Sequence, residues 1–170
     1  MKSTDLENLI AEYGKEVYSF CMYLAKDKYD ADDLYQNTFL TVYEKGDIDL
    51  SGNPKSYIIT IAANLWNNQW RKTVWRKKKA DIVPIQDEML ENISDHRGTV
   101  ESEYERKEES EMVRKVVRSL PDKLRSVILM YYMEEMSIED IALALAIPAG
   151  TVKSRMHKAK KMLKEKLKYE

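Results

Sequence analysis

Apolar residues recur at three- and four-residue steps along most of the chain, and this spacing is typical of α-helices. The first stripe runs from Leu6 to Leu24, and Thr4 followed by Glu7 forms a capping-box pattern at its start. Five glycines and four prolines in 170 residues leave few points at which a helix has to stop. Hydrophobic residues at 44% can also fill a buried core. The sequence therefore predicts an all-α protein.

Three helices are predicted in the first 80 residues. The second spans residues 31–43 with Asp30 as its cap, and its apolar side carries Leu34, Phe39 and Val42. A loop follows over residues 45–53. A third helix then begins at Pro54, where a missing N–H costs nothing. These three helices can form one small bundle.

An acidic stretch without helical period separates this bundle from the rest of the chain. It contains Pro84 and Gly98 among scattered polar residues, a composition typical of a flexible linker. Apolar periodicity resumes at Met112 and continues beyond Pro121 to the end of the chain. We expect two small helical domains, residues 1–80 and 106–170, joined by an acidic linker over residues 81–105.

Charge is segregated along the chain, although the net charge is only −1. Residues 70–80 hold six bases and no acid, and residues 153–168 hold eight bases against one acid. Residues 81–111 reverse the sign, with 11 acids against three bases. Two basic patches on a nearly neutral chain indicate local contacts with phosphate, without tight binding of DNA by the chain alone.

Residues 137–163 have the pattern of a helix-turn-helix. Ser137 can cap a first helix, residues 146–148 break it, and a second helix restarts at Thr151 with Val152 and Met156 inward. Two packed helices with a merely solvated basic face remain the alternative. The outward faces carry residue types that bind base edges or phosphates, namely Thr151, Lys153, Ser154, Arg155, His157 and Lys158.

Tryptophans lie beside bases on the outer side of the third helix. This helix already has an apolar face from Ile58 to Leu65, so Trp66 and Trp70 exceed what packing requires. Exposed aromatic rings next to cations are typical of proteins that stack unpaired bases. Contact with melted DNA and packing of Trp66 on the first helix both remain open.

The second helix begins with an acidic face formed by Asp32, Asp33 and Gln36. Neither His nor Cys accompanies these residues, and no glycine-rich loop follows them, so we predict no metal and no cofactor. The face can dock a protein partner or simply be solvated.

In order and spacing, these segments resemble the extracytoplasmic-function (ECF) sigma factors of bacterial RNA polymerase over nearly the whole chain outside the linker. The matching motifs are DDLxQxxFL at residues 32–40, IAxN at 61–64, LPxxxRxVxxL at 120–130 with Met130 in the last place, and GTVKSRxHxAxxxL at 150–163. Departures are Ala63, Asn68 and Lys158 in place of frequent Arg, Asp and Arg, and Ala146 where glycine is usual at the bend.

The resemblance implies a promoter-reading subunit that contacts core RNA polymerase and promoter DNA, both as duplex and as melted non-template strand. The polymerase contacts would be Asp32, Asp33, Leu34, Gln36 and Phe39. The downstream promoter element would be recognised and opened by Asn64, Trp66, Asn67, Trp70, Arg71, Lys72, Trp75 and Arg76. The upstream element would be read by the six outward residues of the helix-turn-helix. An anti-sigma factor is a further partner that the resemblance allows.

The residues give little support to an enzyme. His96 and His157 are the only histidines, and neither has a plausible nucleophile beside it. Cys21, the single cysteine, fits a reducing cytoplasm, and we expect no export or membrane insertion. An operator-binding regulator that uses the helix-turn-helix without polymerase is the alternative function. The acidic linker is either a solvated tether or a polyanion mimic in a positively charged channel of polymerase.

Overall fold

The computed structural model describes residues 2–46, 51–80 and 111–168, and over residues 69–80 it describes the helical backbone alone. The described residues are helical with short connections and contain no strand, which confirms the all-α prediction. The predicted linker, residues 81–105, lies outside this description. The helices are α1 (Ser3–Leu24), α2 (Lys28–Lys45), α3 (Pro54–Ala80), α4 (residues 111–118), α5 (Asp122–Tyr132), α6 (Ile138–Leu145) and α7 (Ala149–Lys168).

Two of the three helix starts in the first domain differ from the prediction. Helix α1 begins at Ser3, so Thr4 lies inside the helix and does not cap it. Helix α2 begins earlier than expected because Asp27 is the cap, and its carboxylate accepts a hydrogen bond from the backbone N–H of Asp30 at 2.8 Å. Helix α3 begins at Pro54 as predicted.

The first domain is a bundle in which α2 packs against both α1 and α3. Most inward positions predicted from periodicity are buried, among them Val17, Leu34 and Ile58, but Ile10 of the first stripe is exposed and Leu6 is half-buried. Cys21 is also buried, and its removal from water raises the pKa of the thiol to about 12. The cysteine is therefore a packing residue.

The second domain comprises α4 to α7, with α5 and α6 both packed against α7. It does not stand apart from the first domain. Helix α5 packs on α1 and α3, α6 packs on α3, and the buried apolar residues of both domains form one continuous core. The sequence predicts two bundles but contains no pattern that predicts this contact. None of the helices in the described part of the chain combines the length and apolar character needed to cross a bilayer.

Candidate nucleic-acid interface

The helix-turn-helix is formed by α6 and α7. The hydroxyl of Ser137 accepts a hydrogen bond from the backbone N–H of Asp140 at 3.1 Å, so Ser137 caps α6 as predicted. At the other end Ala146 adopts the left-handed conformation, with φ 54° and ψ 48°, and the next amide, of Ile147, donates to the carbonyl of Ala142 at 3.0 Å. Residue 146, where the resemblance leads one to expect glycine, therefore has a positive φ.

Helix α7 presents the predicted polar side chains outward. It begins at Ala149, slightly before the expected start, and Val152, Met156 and Ala159 are buried as predicted. None of the six candidate side chains has a hydrogen bond or ion pair with another described residue. Four of them are exposed, namely Lys153, Ser154, His157 and Lys158. The other two, Thr151 and Arg155, are half-buried. The basic surface of α7 is thus available for an outside partner.

Trp66 differs most from its predicted environment. Its side chain is only 6% exposed, so the expectation that it is surplus to packing is wrong. The indole Nε1–H donates a hydrogen bond of 3.0 Å to Oδ1 of Asp122 at the start of α5. The same carboxylate oxygen accepts from the guanidinium of Arg125. Trp66 therefore packs against the second domain and not on the open side of α3.

Two further candidates on α3 also contact the second domain. The side-chain amide of Asn64 donates to the backbone carbonyl of Ala144 in α6 at 3.0 Å. The hydroxyl of Ser126 donates to Oδ1 of Asn67 at 3.4 Å. The structure thus brings Asn64, Trp66 and Asn67 together at the contact between domains.

The remaining candidates on this helix lie further along α3. Its backbone continues without a break to Ala80, so the basic segment extends the helix. Five of the candidate residues on α3 have side chains outside the described part of the structure, namely Trp70, Arg71, Lys72, Trp75 and Arg76.

The acidic face of α2 is supported by a residue that the sequence analysis missed. Asp33 and Gln36 are exposed, as expected, but Asp32 is half-buried and accepts a hydrogen bond of 2.7 Å from the hydroxyl of Tyr18. This bond to the carboxylate raises the pKa of Tyr18 to about 12. The ring of Tyr18 also lies edge-on to Tyr35, with centroids 5.4 Å apart. Tyr18 therefore orients Asp32.

Two of the proposed polymerase contacts, Leu34 and Phe39, are buried in the first domain. Their side chains hold α2 in place and are not presented at its surface, as the inward periodicity of the helix had indicated. Only Asp32, Asp33 and Gln36 of the five lie where an approaching protein can touch them.

Metal binding finds no support in the described residues, where no cluster of three or more His, Cys, Asp or Glu side chains has the geometry to hold an ion.

Comparison with known families matches both domains. Residues 9–76 match the family described as Sigma-70 region 2, and residues 110–163 match the family described as Sigma-70, region 4. The two matches fall on α1–α3 and on α4–α7, with the acidic segment between them. Residues 77–109 separate the two matched regions.

Curated relatives are similar over most of the chain. The ECF RNA polymerase sigma factor SigW of Bacillus subtilis is 27% identical over 167 residues, covering 94% of this chain and 87% of the relative. The RNA polymerase sigma-E factor of Streptomyces avermitilis is 31% identical over 145 residues, covering 85% of this chain and 74% of the relative.

Two solved structures share the fold. One is the sigma factor RpoE of Bartonella quintana in complex with the anti-sigma factor NepR, with a TM-score of 0.75, 24% identity and coverage of 96% of this chain and 97% of that one. The other is CnrH in complex with the cytosolic domain of CnrY, with a TM-score of 0.66, 18% identity and coverage of 99% and 91%.

Proposed function

Since the chain belongs to the extracytoplasmic-function sigma factors, which direct core RNA polymerase to promoters, we propose that its two domains contact two different forms of promoter DNA. Sigma factors are initiation factors, so the chemistry of RNA synthesis belongs to polymerase. Both family regions are matched, and the alternative of a regulator acting without polymerase would use only the second. The sigma-factor function is therefore favoured over the operator-binding regulator.

The observation that carries the proposal is the free basic face of α7. A helix-turn-helix places its second helix in the major groove, where hydrogen-bonding side chains reach base edges and phosphates. Lys153, Arg155 and Lys158 supply the charge, and Ser154 and His157 lie between them on the outward side. In this proposal the second domain holds the upstream duplex.

The downstream element is assigned to α3. Asn64, Trp66 and Asn67 lie on the described part of this helix, and Trp70 with Arg71 follows one turn later. Aromatic rings stack on unpaired bases regardless of sequence, while cations follow the phosphates. In this proposal α3 captures the non-template strand as the duplex opens.

The polymerase-docking surface is the acidic start of α2. Asp33 and Gln36 are exposed, and the hydroxyl of Tyr18 fixes the orientation of Asp32. Charge at such a surface mainly sets partner choice and association rate. The factor is proposed to act in the cytoplasm, where its polymerase is, with an anti-sigma factor as a second protein partner that covers the same surfaces.

The test separates duplex reading from strand capture with two variants. Arg155→Ala removes a side chain that can form two hydrogen bonds with one guanine, an interaction worth about 1–3 kcal/mol. It should weaken the closed complex of the holoenzyme on promoters that depend on the upstream element. Trp70→Ala removes a stacking platform of about 1–3 kcal/mol and should lower the open-complex population at normal promoter binding.

Permanganate footprinting on duplex and on pre-melted bubble templates distinguishes the two defects. The bubble should rescue Trp70→Ala and leave the Arg155→Ala defect in place. Lys123→Ala, an exposed lysine on α5 of the same domain and outside both basic patches, is the matched control and should behave as wild type. Equal rescue of both variants, or of neither, contradicts the assignment of the two domains to two forms of DNA.

A further inference from the structure

A cavity of about 570 Å³ lies on the second domain, between α5 and the C-terminal part of α7. Its apolar wall is formed by Ile128 and Tyr132 of α5 and by Leu163 and Leu167 of α7. Sites for small molecules in proteins typically have volumes of about 300–1,000 Å³ and are lined mainly by apolar side chains. The cavity therefore has room for a small organic molecule.

Part of the apolar wall is open to solvent. Tyr132 is 56% exposed and Leu167 is 53% exposed, whereas Ile128 in the same wall is only 5% exposed. A contiguous exposed apolar surface of this kind is typical of binding sites. The wall can therefore bury further apolar surface when a ligand enters.

The polar rim of the cavity consists of lysines. Lys160, Lys164 and Lys168 lie at four-residue steps, so they form one row along α7. Among the described residues, no Asp or Glu lines the cavity. The ammonium of Lys160 lies 5.4 Å from the centre of the Tyr132 ring, and a hydrogen bond with Tyr132 raises its pKa. The rim is therefore positively charged and complements an anion.

The lysines of this row differ from a neighbouring lysine that the fold already uses. The ammonium of Lys166 donates to the hydroxyl of Ser119 at 2.6 Å, so it is engaged within the protein. Lys164 and Lys168 form no hydrogen bond or ion pair with another residue in the described part of the chain. Their charges are therefore available to a ligand.

Much of the cavity lies beyond the part of the chain that matches Sigma-70, region 4. That match ends at residue 163, whereas α7 continues to Lys168. Lys164, Leu167 and Lys168 all belong to this continuation. The cavity thus depends on residues that the matched family region does not include.

We propose that this cavity binds an amphipathic anion, namely a long-chain carboxylate whose apolar body packs on the wall and whose head pairs with the lysine row. An uncharged apolar molecule would leave the lysines without a partner, and a small hydrophilic anion would leave the wall in water. The two surfaces together select a ligand that has both characters. The site goes beyond the proposed function and does not depend on it.

Isothermal titration calorimetry of the full chain with dodecanoate, kept below its micelle concentration, tests the proposal. Dodecanoate should bind saturably, with one molecule per chain. Each methylene removed from the ligand should weaken binding about two- to fourfold, because less apolar surface is removed from water. Dodecanol lacks the charge and should bind about tenfold more weakly.

Three variants locate the site. Leu167→Ser removes an exposed part of the wall, and Lys164→Glu reverses the charge at the middle of the lysine row. Each should weaken dodecanoate binding about tenfold. Lys161→Glu makes the same charge change at an exposed position of α7 outside the cavity and should bind as wild type. Circular dichroism should show wild-type helicity for all three variants.

Nuclear magnetic resonance provides a second, independent location. A spin-labelled stearate should broaden the methyl signals of Ile128 and Leu163 and leave those of Leu9 in the first domain unchanged. Broadening at Leu9 equal to that at Ile128 would contradict the site.

Several results would overturn the proposal. These are no binding of dodecanoate, many molecules bound per chain, or equal losses in Lys164→Glu and Lys161→Glu, which would indicate attraction by net charge alone. Sedimentation should show a monomer, and a dimer that Leu167→Ser dissociates would assign the cavity to a second copy of this chain. Binding of a synthetic helical peptide with a leucine face and a glutamate face, without binding of dodecanoate, would assign it to a protein partner.

Discussion

Replacing Ala146 by glycine should stabilise the protein, because this alanine occupies a left-handed position at the bend of the helix-turn-helix. The left-handed conformation costs a residue with a Cβ about 1–2 kcal/mol. Glycine avoids that cost but loses about 0.4–1 kcal/mol through the greater freedom of the unfolded chain. The difference leaves a net gain of about 0.8 kcal/mol. In a chain of 170 residues this corresponds to a rise in Tm of about 2–3 °C.

The matched control is the same substitution one helical turn earlier. Ala142 lies inside α6, where glycine costs about 1 kcal/mol or more, so Ala142→Gly should destabilise. Urea unfolding of both variants, with unchanged slopes, should give midpoints on opposite sides of the wild type. If Ala146→Gly lowers the midpoint as Ala142→Gly does, the backbone at residue 146 is not left-handed and the reasoning fails.

Two further predictions concern titratable side chains. Asp33→Lys and Asp32→Lys should both weaken binding of core polymerase in a pull-down. Only Asp32→Lys should also lower the unfolding midpoint, because it loses about 1–2 kcal/mol from the hydrogen bond with Tyr18. Normal polymerase binding by Asp33→Lys would remove Asp33 from the docking surface. Burial raises the pKa of Glu134 above its ordinary value of 4.5, and Lys55 opposes this shift. The protonated carboxyl therefore stabilises the folded state at low pH, and this stabilisation is lost as the pH rises through the raised pKa. The stability of Glu134→Gln relative to wild type should therefore increase with pH above 4.5 in urea titrations, and a flat difference would contradict the burial of an ionised Glu134.

Local patterns predicted the helices and most of their faces. The inward positions of α1 and α7 follow from their three- and four-residue spacing, and the cap at Ser137 follows from residue type alone. The start of α2 was predicted too late because Asp27 and Asp30 are both good caps, and the choice depends on backbone geometry. Such boundaries are decided by one hydrogen bond.

The candidate site was less predictable because it depends on contacts distant in sequence. Trp66 and Asp122 are 56 positions apart, and Arg125 reaches Leu24 across 101 positions. A helical pattern shows which side of a helix is apolar, but not that a second apolar side will meet another domain. The sequence analysis treated the indole of Trp66 as surplus to packing because it missed the partner, Asp122, in the other domain.

The double use of Trp66 limits how this factor can evolve. A change at residue 66 that improved capture of melted DNA would also alter the hydrogen bond to Asp122. Capture of melted DNA and the packing of the two domains therefore cannot be adjusted separately through this residue. The hydrogen bonds of the Arg118 side chain reach only the carbonyl of Met22 in the first domain, so substitutions there can change how the domains pack without altering a residue proposed to bind DNA. Variation among natural copies of this factor should accordingly be freer at residue 118 than at residue 66.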